Sequence, residues 1–189
     1  RKPVLVVICL LALVCVSHPV QAQQNILLII GDDIGIDAIE MYTAGDKAPT
    51  PTLDGLAAGG VRFTNCWANP VCSPTRGTLL TGKHGLQTGV GWPGAPIGLG
   101  EFTLADALNN AGYATACIGK WHLGNAADNP NTMGFDHFSG SLGGAVTDFY
   151  NWSKTVNGVT TTSTNYATSE NVDDAIAWIA AQGSDPWLC

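Results

Sequence analysis

The stretch "NPVCSPTRGTLL", residues 69–80, holds Cys72 between two prolines with Arg76 four positions on. Pro70 and Pro74 stiffen the backbone on both sides of the thiol. Pro74 also suits the first turn of a helix, and "RGTLLTG" carries that helix on until Gly82 stops it. Cys72 then stands at or just before a helix N-terminus. Partial positive charge gathers there, and Arg76 adds a full one. Such a place binds an anion or activates a thiol. A turn with a buried thiol accounts for these residues equally well.

Two other clusters follow strand-like runs, and in α/β folds ligands bind beyond the carboxyl ends of strands. In "LLIIGDDIG" Asp32 and Asp33 come directly after an apolar run. Adjacent carboxylates repel unless something positive lies between them. In a regular strand they would point to opposite faces; Gly31 and Gly35 let the chain bend so that both face one point. A hard cation such as calcium or magnesium explains the pair. A solvated turn, with one Asp capping the next helix, explains it too. In "IGKWHLG" an extended backbone projects Lys120 and His122 to one side and Trp121 to the other. A cation and an imidazole aimed together suit binding an oxyanion and moving a proton. The alternative is an ordinary loop with Trp121 in the core and Lys120 solvated.

Positioning these groups takes alternating strands and helices. "NILLII" reads as a strand buried on both faces. "TPTLDGLAAGG" reads as a short helix, "VRFTNCWA" as a strand, and the helix opened by Cys72 follows. "TLADALNNAG" has Thr103 as N-cap, Asp106 three residues later and Gly112 as the stop. "YATACI" is a further strand. The rhythm predicts an α/β fold with a largely parallel sheet flanked by helices. From Ser139 to Ser169 the chain turns polar and reads as long loops with room for a small hairpin. "SENVDDAIAWIAAQGSDPWLC" reads as a capped helix, a turn and the opening of a strand.

Composition limits the function. The 189 residues suffice for one domain with a real core. A formal charge of −7 argues against binding nucleic acid through a basic surface, without excluding a local cationic pocket. "RKPVLVVICLLALVCVSHPVQAQ" runs from two cations through an apolar stretch to a small-residue site. It reads as a signal peptide over 1–22, cleaved after Ala22, and predicts export to the periplasm, the exterior or another extracytoplasmic compartment. Its apolar run falls short of the about 20 residues that a stable membrane span needs. After Cys9 and Cys15 of that segment, Cys66, Cys72, Cys117 and Cys189 remain, with no zinc spacing among them. Cys66 and Cys117 are the conceivable disulfide pair, but both lie in strand-like runs and read better as buried free thiols.

Taken in order, these pieces resemble a known family. "CSPTR" fits the C-x-P-x-R signature of the type I sulfatases, within the alkaline-phosphatase-like superfamily. "NILLIIGDDIG", "TPTLDGLAAGGVRFTNCWANPVCSPTRGTLLTGKH", "TLADALNNAGYATACIGKWHLG" and "MGFDHFSG" fit around it. The resemblance spans most of residues 24–140 and implies the fold of that superfamily. It makes residues 23–189 the N-terminal part of a sulfatase catalytic domain, truncated at the C-terminal end.

The resemblance also implies a chemistry. Cys72 would be oxidised by a formylglycine-generating enzyme to formylglycine, an aldehyde that hydrates to a geminal diol. One diol oxygen attacks sulfur and releases the alcohol; the other hydroxyl loses its proton, the aldehyde re-forms and sulfate leaves. Asp32 and Asp33 match the first two metal ligands, with residue 72 as a further one, around a divalent cation: calcium first, magnesium second. Arg76 matches the arginine that supports the hydrated aldehyde. Lys120 would bridge diol and sulfate, and His122 would serve the second hydroxyl as base. The substrate would be a sulfated small molecule or glycan. Ser73, Pro74 and Thr75 read as maturation signals and turn geometry, Lys83 and His84 as structural, and His137 as a surface or packing residue. Asn151 in "NWS" forms a glycosylation sequon. The family's remaining metal and sulfate ligands fall in later segments, so this stretch alone is expected to be inactive. Two alternatives stand beside sulfate ester hydrolysis. One is a phosphonate or phosphate monoester hydrolase of the same superfamily; the other is a non-catalytic exported binder of sulfated glycans.

Overall fold

The computed structural model describes residues 23–189; the signal-peptide expectation for 1–22 lies outside the described residues. The framework is a five-stranded open sheet of order β4-β3-β2-β1-β5. Its strands are β1 (Ala114–Lys120), β2 (His137–Ser141), β3 (Trp152–Val156), β4 (Val159–Ser163) and β5 (Trp187–Leu188). β1 runs parallel to both β2 and β5, whereas the β2–β3 and β3–β4 pairings are antiparallel. The sheet is therefore mixed, and the expectation of a largely parallel sheet holds only on the side of β1. The cause is the polar stretch after Ser139. It forms a hairpin whose turn residues, Asn157 (φ 44°) and Gly158 (φ 85°), take the left-handed pair of angles that a tight two-residue turn demands. β2, which opens in "GFDHFSG", is a strand that the composition of that segment concealed.

Helices cover the sheet. They are α1 (Pro51–Gly59), α2 (Cys72–Thr81), α3 (Gly85–Thr88), α4 (Leu104–Asn110), α5 (Asn129–Thr132) and α6 (Ala167–Ala181). The expected start and stop signals operate at α4. Thr103 accepts from the Asp106 amide, the Asp106 carboxylate accepts from the Thr103 amide, and Gly112 turns the chain at φ 85°. α2 ends as its sequence predicts, with Gly82 left-handed at φ 67° and its N–H donating to the Thr78 carbonyl. The core lies between β1, β2 and α4. Trp121, Leu123, Met133 and Phe138 are buried there, and Trp121 meets Phe135 edge-on at 6.2 Å between ring centroids. Among the described residues, no helix is long and apolar enough to cross a membrane.

Two expected strands differ. "NILLII" is extended and pairs in parallel with the end of the chain: Ile26 N–H donates to Trp187 O (2.7 Å) and Leu28 N–H to Cys189 O (2.8 Å). It is not buried on both faces, because Leu27 is 55% and Ile29 76% exposed. "VRFTNCWA" forms no strand, and Phe63 and Trp67 are exposed. Strand propensity needs a partner edge, and among the described residues this segment pairs with none. Cys66 is accordingly exposed, which corrects its reading as a buried thiol, and Cys66, Cys72, Cys117 and Cys189 are all free. Burial pushes the Cys117 thiol up to about 12, so it stays protonated.

Candidate functional site

α2 opens at Cys72, with Val71 in extended conformation before it and Pro74 inside its first turn. The thiol therefore stands at the helix N-terminus, as the prolines predict. β1 ends at Lys120, and the chain continues as Trp121-His122-Leu123. Trp121 is buried, and its indole N–H donates to Asn129 Oδ1 at 2.6 Å. His122 has left the strand, with φ +57°. The extended geometry expected for "KWH" is thus wrong at its last residue, yet the imidazole still reaches the helix: His122 Nδ1 lies 3.0 Å from Cys72 Sγ.

The left-handed backbone of His122 is held by its neighbours. Its N–H donates to Leu142 O (3.1 Å), and its carbonyl accepts from Ser73 Oγ (2.8 Å). Ser73 is fully buried and also accepts from the Gly94 N–H at 2.8 Å. Consecutive residues of α2 therefore grip the two ends of one histidine: Cys72 its ring and Ser73 its carbonyl. Ser73 read as turn geometry in the sequence. Its link across 49 residues leaves no sequence signal, because a serine near a helix start is ordinary.

Charge surrounds the pair. Arg76, on the next turn of α2, is 11% exposed and donates to the Lys120 carbonyl at 2.5 Å. The Lys120 ammonium sits 2.7 Å from Asp32 Oδ2, and Arg76 lies 3.9 Å from the same oxygen. Burial first, then the Lys120 and Arg76 charges, lower the His122 pKa from its ordinary 6.5, with Asp32 opposing them. The imidazole is neutral at pH 7 and able to accept a proton.

Five of the six sequence-predicted residues thus converge: Asp32, Cys72, Arg76, Lys120 and His122. Asp33 does not join them through any hydrogen bond or ion pair among the described residues. It is exposed and left-handed at φ +58°. The left-handed residue of this bend is Asp33 itself and neither Gly31 nor Gly35. The hard oxygens of Asp32 and Asp33 suit a divalent cation, but calcium takes six to eight such donors. Among the described residues, no three His, Cys, Asp or Glu side chains gather as a metal cage. These residues alone fall short of one. On Asp32 the Lys120 ammonium supplies the positive charge. Lys83 and His84 act structurally, as expected: Lys83 pairs with Glu101 at 2.5 Å, and His84 caps α3. His137 stacks on Trp178 at 6.4 Å between centroids.

An open α/β sheet, with a helix N-terminus and two cations gathered at the end of strand β1, defines a class of domain built to handle anionic groups. Residues 24–189 match the sulfatase family pattern, and the chain belongs to the sulfatase family. It is 39% identical to human arylsulfatase D over 158 residues, covering 73% of this chain and 26% of that protein. It is also 39% identical to mouse arylsulfatase J over 137 residues, covering 68% of this chain and 22% of the relative. The chain thus spans about a quarter of the length of these relatives. A solved structure described as a complex with its substrate D-glucosamine-2-N,6-O-disulfate superposes with a TM-score of 0.75 at 30% identity. The superposition covers 88% of this chain and 33% of that one.

Proposed function

We propose that this chain carries the nucleophile end of a sulfuric ester hydrolase, with Cys72 matured to formylglycine. One observation carries the reading: a residue with the C-x-P-x-R surroundings stands at a helix N-terminus, 3.0 Å from a neutral imidazole and beside two cations. Lys120 and Arg76 would attract and orient the anionic group, and the N-terminal dipole of α2 adds to their field. His122 would take the proton from the residue-72 hydroxyl as sulfate is expelled. A divalent cation, calcium in this reading, would be held by Asp32, Asp33 and residue 72 together with ligands beyond these, and would lower the pKa of the attacking hydroxyl. Residues 1–22 would direct export, residues 23–189 would form the N-terminal part of the catalytic domain, and a formylglycine-generating enzyme would act on the chain during maturation. The substrate class is sulfated small molecules or glycans. The relatives named arylsulfatase and the structure solved with a disulfated glucosamine both support it.

Peptide mass spectrometry on protein from a host with the maturing machinery tests the reading. Position 72 should carry an aldehyde, formed by exchange of one sulfur and two hydrogens for one oxygen, while Cys66 and Cys117 stay unmodified. A substrate panel completes the test. Full activity with unmodified Cys72 defeats the mechanism, and faster cleavage of phosphate or phosphonate esters than of sulfate esters defeats the substrate class. Unmodified Cys72 with intact binding of sulfated glycans would mark a binder instead.

A further inference from the structure

The loop that follows β2 passes directly over the His122 ring at Gly144. A Cβ added there would come closer to His122 Cε1 than real Cβ atoms approach any heavy atom, and would stand 3.0 Å from Nδ1. Nδ1 is the ring nitrogen that faces Cys72 Sγ. Gly144 is not among the left-handed glycines, so the backbone would accept alanine without strain; only the space is forbidden. The ring is hemmed in elsewhere too, since a Cβ at Gly94 would lie 3.7 Å from His122 Nε2. The histidine backbone cannot easily yield, because Leu142 holds its N–H and Ser73 its carbonyl. The neighbouring Gly143 contrasts with this: a Cβ there would meet nothing closer than 4.0 Å.

We propose that Gly144 is a positioning residue for His122: its missing side chain is the space that keeps the imidazole against residue 72. The link to turnover rests on the functional reading above, whereas the positioning itself does not. With a methyl group at 144 the ring must swing off the Cys72 contact. The fold survives, because the moving part is a side chain and not the strand.

The test uses Gly144→Ala, with Gly143→Ala as the control, in the full chain. The His122 imidazole is followed by NMR at one fixed pH. Gly144→Ala should shift its ring-nitrogen resonances, and Gly143→Ala should leave them in place. Melting temperatures of Gly144→Ala with and without His122→Ala form a double-mutant cycle. The loss due to Gly144→Ala should vanish once the ring is gone. Unmoved His122 resonances, or an equal melting loss in the His122→Ala background, would overturn the proposal by making Gly144 a matter of loop structure alone. In the matured enzyme, Gly144→Ala should lower kcat at least tenfold with little change in KM. A displaced ring with unchanged kcat would uphold the positioning and instead sink the assignment of His122 as the base.

Discussion

At the scale of single residues, the site depends on one histidine in an uncommon backbone conformation. Ser73→Ala would remove the buried hydroxyl that serves both the His122 carbonyl and the Gly94 N–H, breaking two part-buried hydrogen bonds. A loss of about 2 kcal/mol in urea unfolding is expected, together with slower turnover because His122 loosens. Threonine, which keeps the hydroxyl, should restore much of both. The depressed His122 pKa has a further consequence. The unfolded chain binds this proton near pH 6.5 and the folded chain only at lower pH. Stability is therefore greatest above about 6.5 and falls as pH drops through the window beneath it. His137 is shifted the same way, chiefly by burial. Replacing both histidines with glutamine should flatten the melting profile in that window; an unchanged slope would refute the assignment. Cys72, Arg76, Lys120 and His122 were legible because their types and order carry a signature. The left-handed backbone of Asp33 was not legible, because a backbone angle at a non-glycine residue leaves no mark in the residue types around it.

At the scale of elements, helix ends were legible and sheet edges were not. Thr103 with Asp106, and Gly82, follow local rules that depend on the nearest few residues. The run "VRFTNCWA" has strand composition but pairs with no strand among the described residues, and β2 has a neighbour but little strand composition, so each was misjudged for want of the partner. The hairpin β3–β4 is tied to α6 by side chains that composition had assigned to loops. Lys154, 12% exposed, reaches Glu170 (2.9 Å) and Asp174 (2.6 Å), and Ser139 Oγ donates to Asp174 at 2.6 Å. Burial works against the lysine charge, but the hydrogen bonds it donates to the Asp174 and Glu170 carboxylates raise its pKa overall. Lys154→Met would leave two half-buried carboxylates facing each other. A loss of up to about 3 kcal/mol is expected, with a lower melting temperature that recovers in part as pH falls and the carboxylates protonate. A variant as stable as wild type at pH 7 would show that the network holds nothing together.

At the scale of the whole molecule, the outer edge of the sheet beyond β5 decides how the chain behaves. The segment from Ile26 pairs there on one side only. Ile26 and Leu28 direct their amides to Trp187 and Cys189, and Cys189 returns a bond to Ile26 O at 2.9 Å. Strand geometry points the intervening amides of Leu27 and Ile29 the other way, and among the described residues they meet no backbone partner. The apolar run announced a strand correctly; its burial was unreadable because burial depends on what packs against it, and this chain spans only about a quarter of its relatives. Amide hydrogen exchange should therefore alternate along the segment, with Ile26 and Leu28 protected and Leu27 and Ile29 exchanging close to the free rate. Uniform protection or uniform exchange would contradict the one-sided pairing. The same measurement on a polypeptide of the relatives' full length then has a sharp reading: protection gained at Leu27 and Ile29 means that further chain adds a strand to this edge, and continued rapid exchange means that the edge stays open. Because Asp32 follows this segment within a few residues and holds Lys120 at 2.7 Å, a strand added there would fix the carboxylate as well. The exchange rates at Leu27 and Ile29 should then fall together with any gain in metal affinity at Asp32.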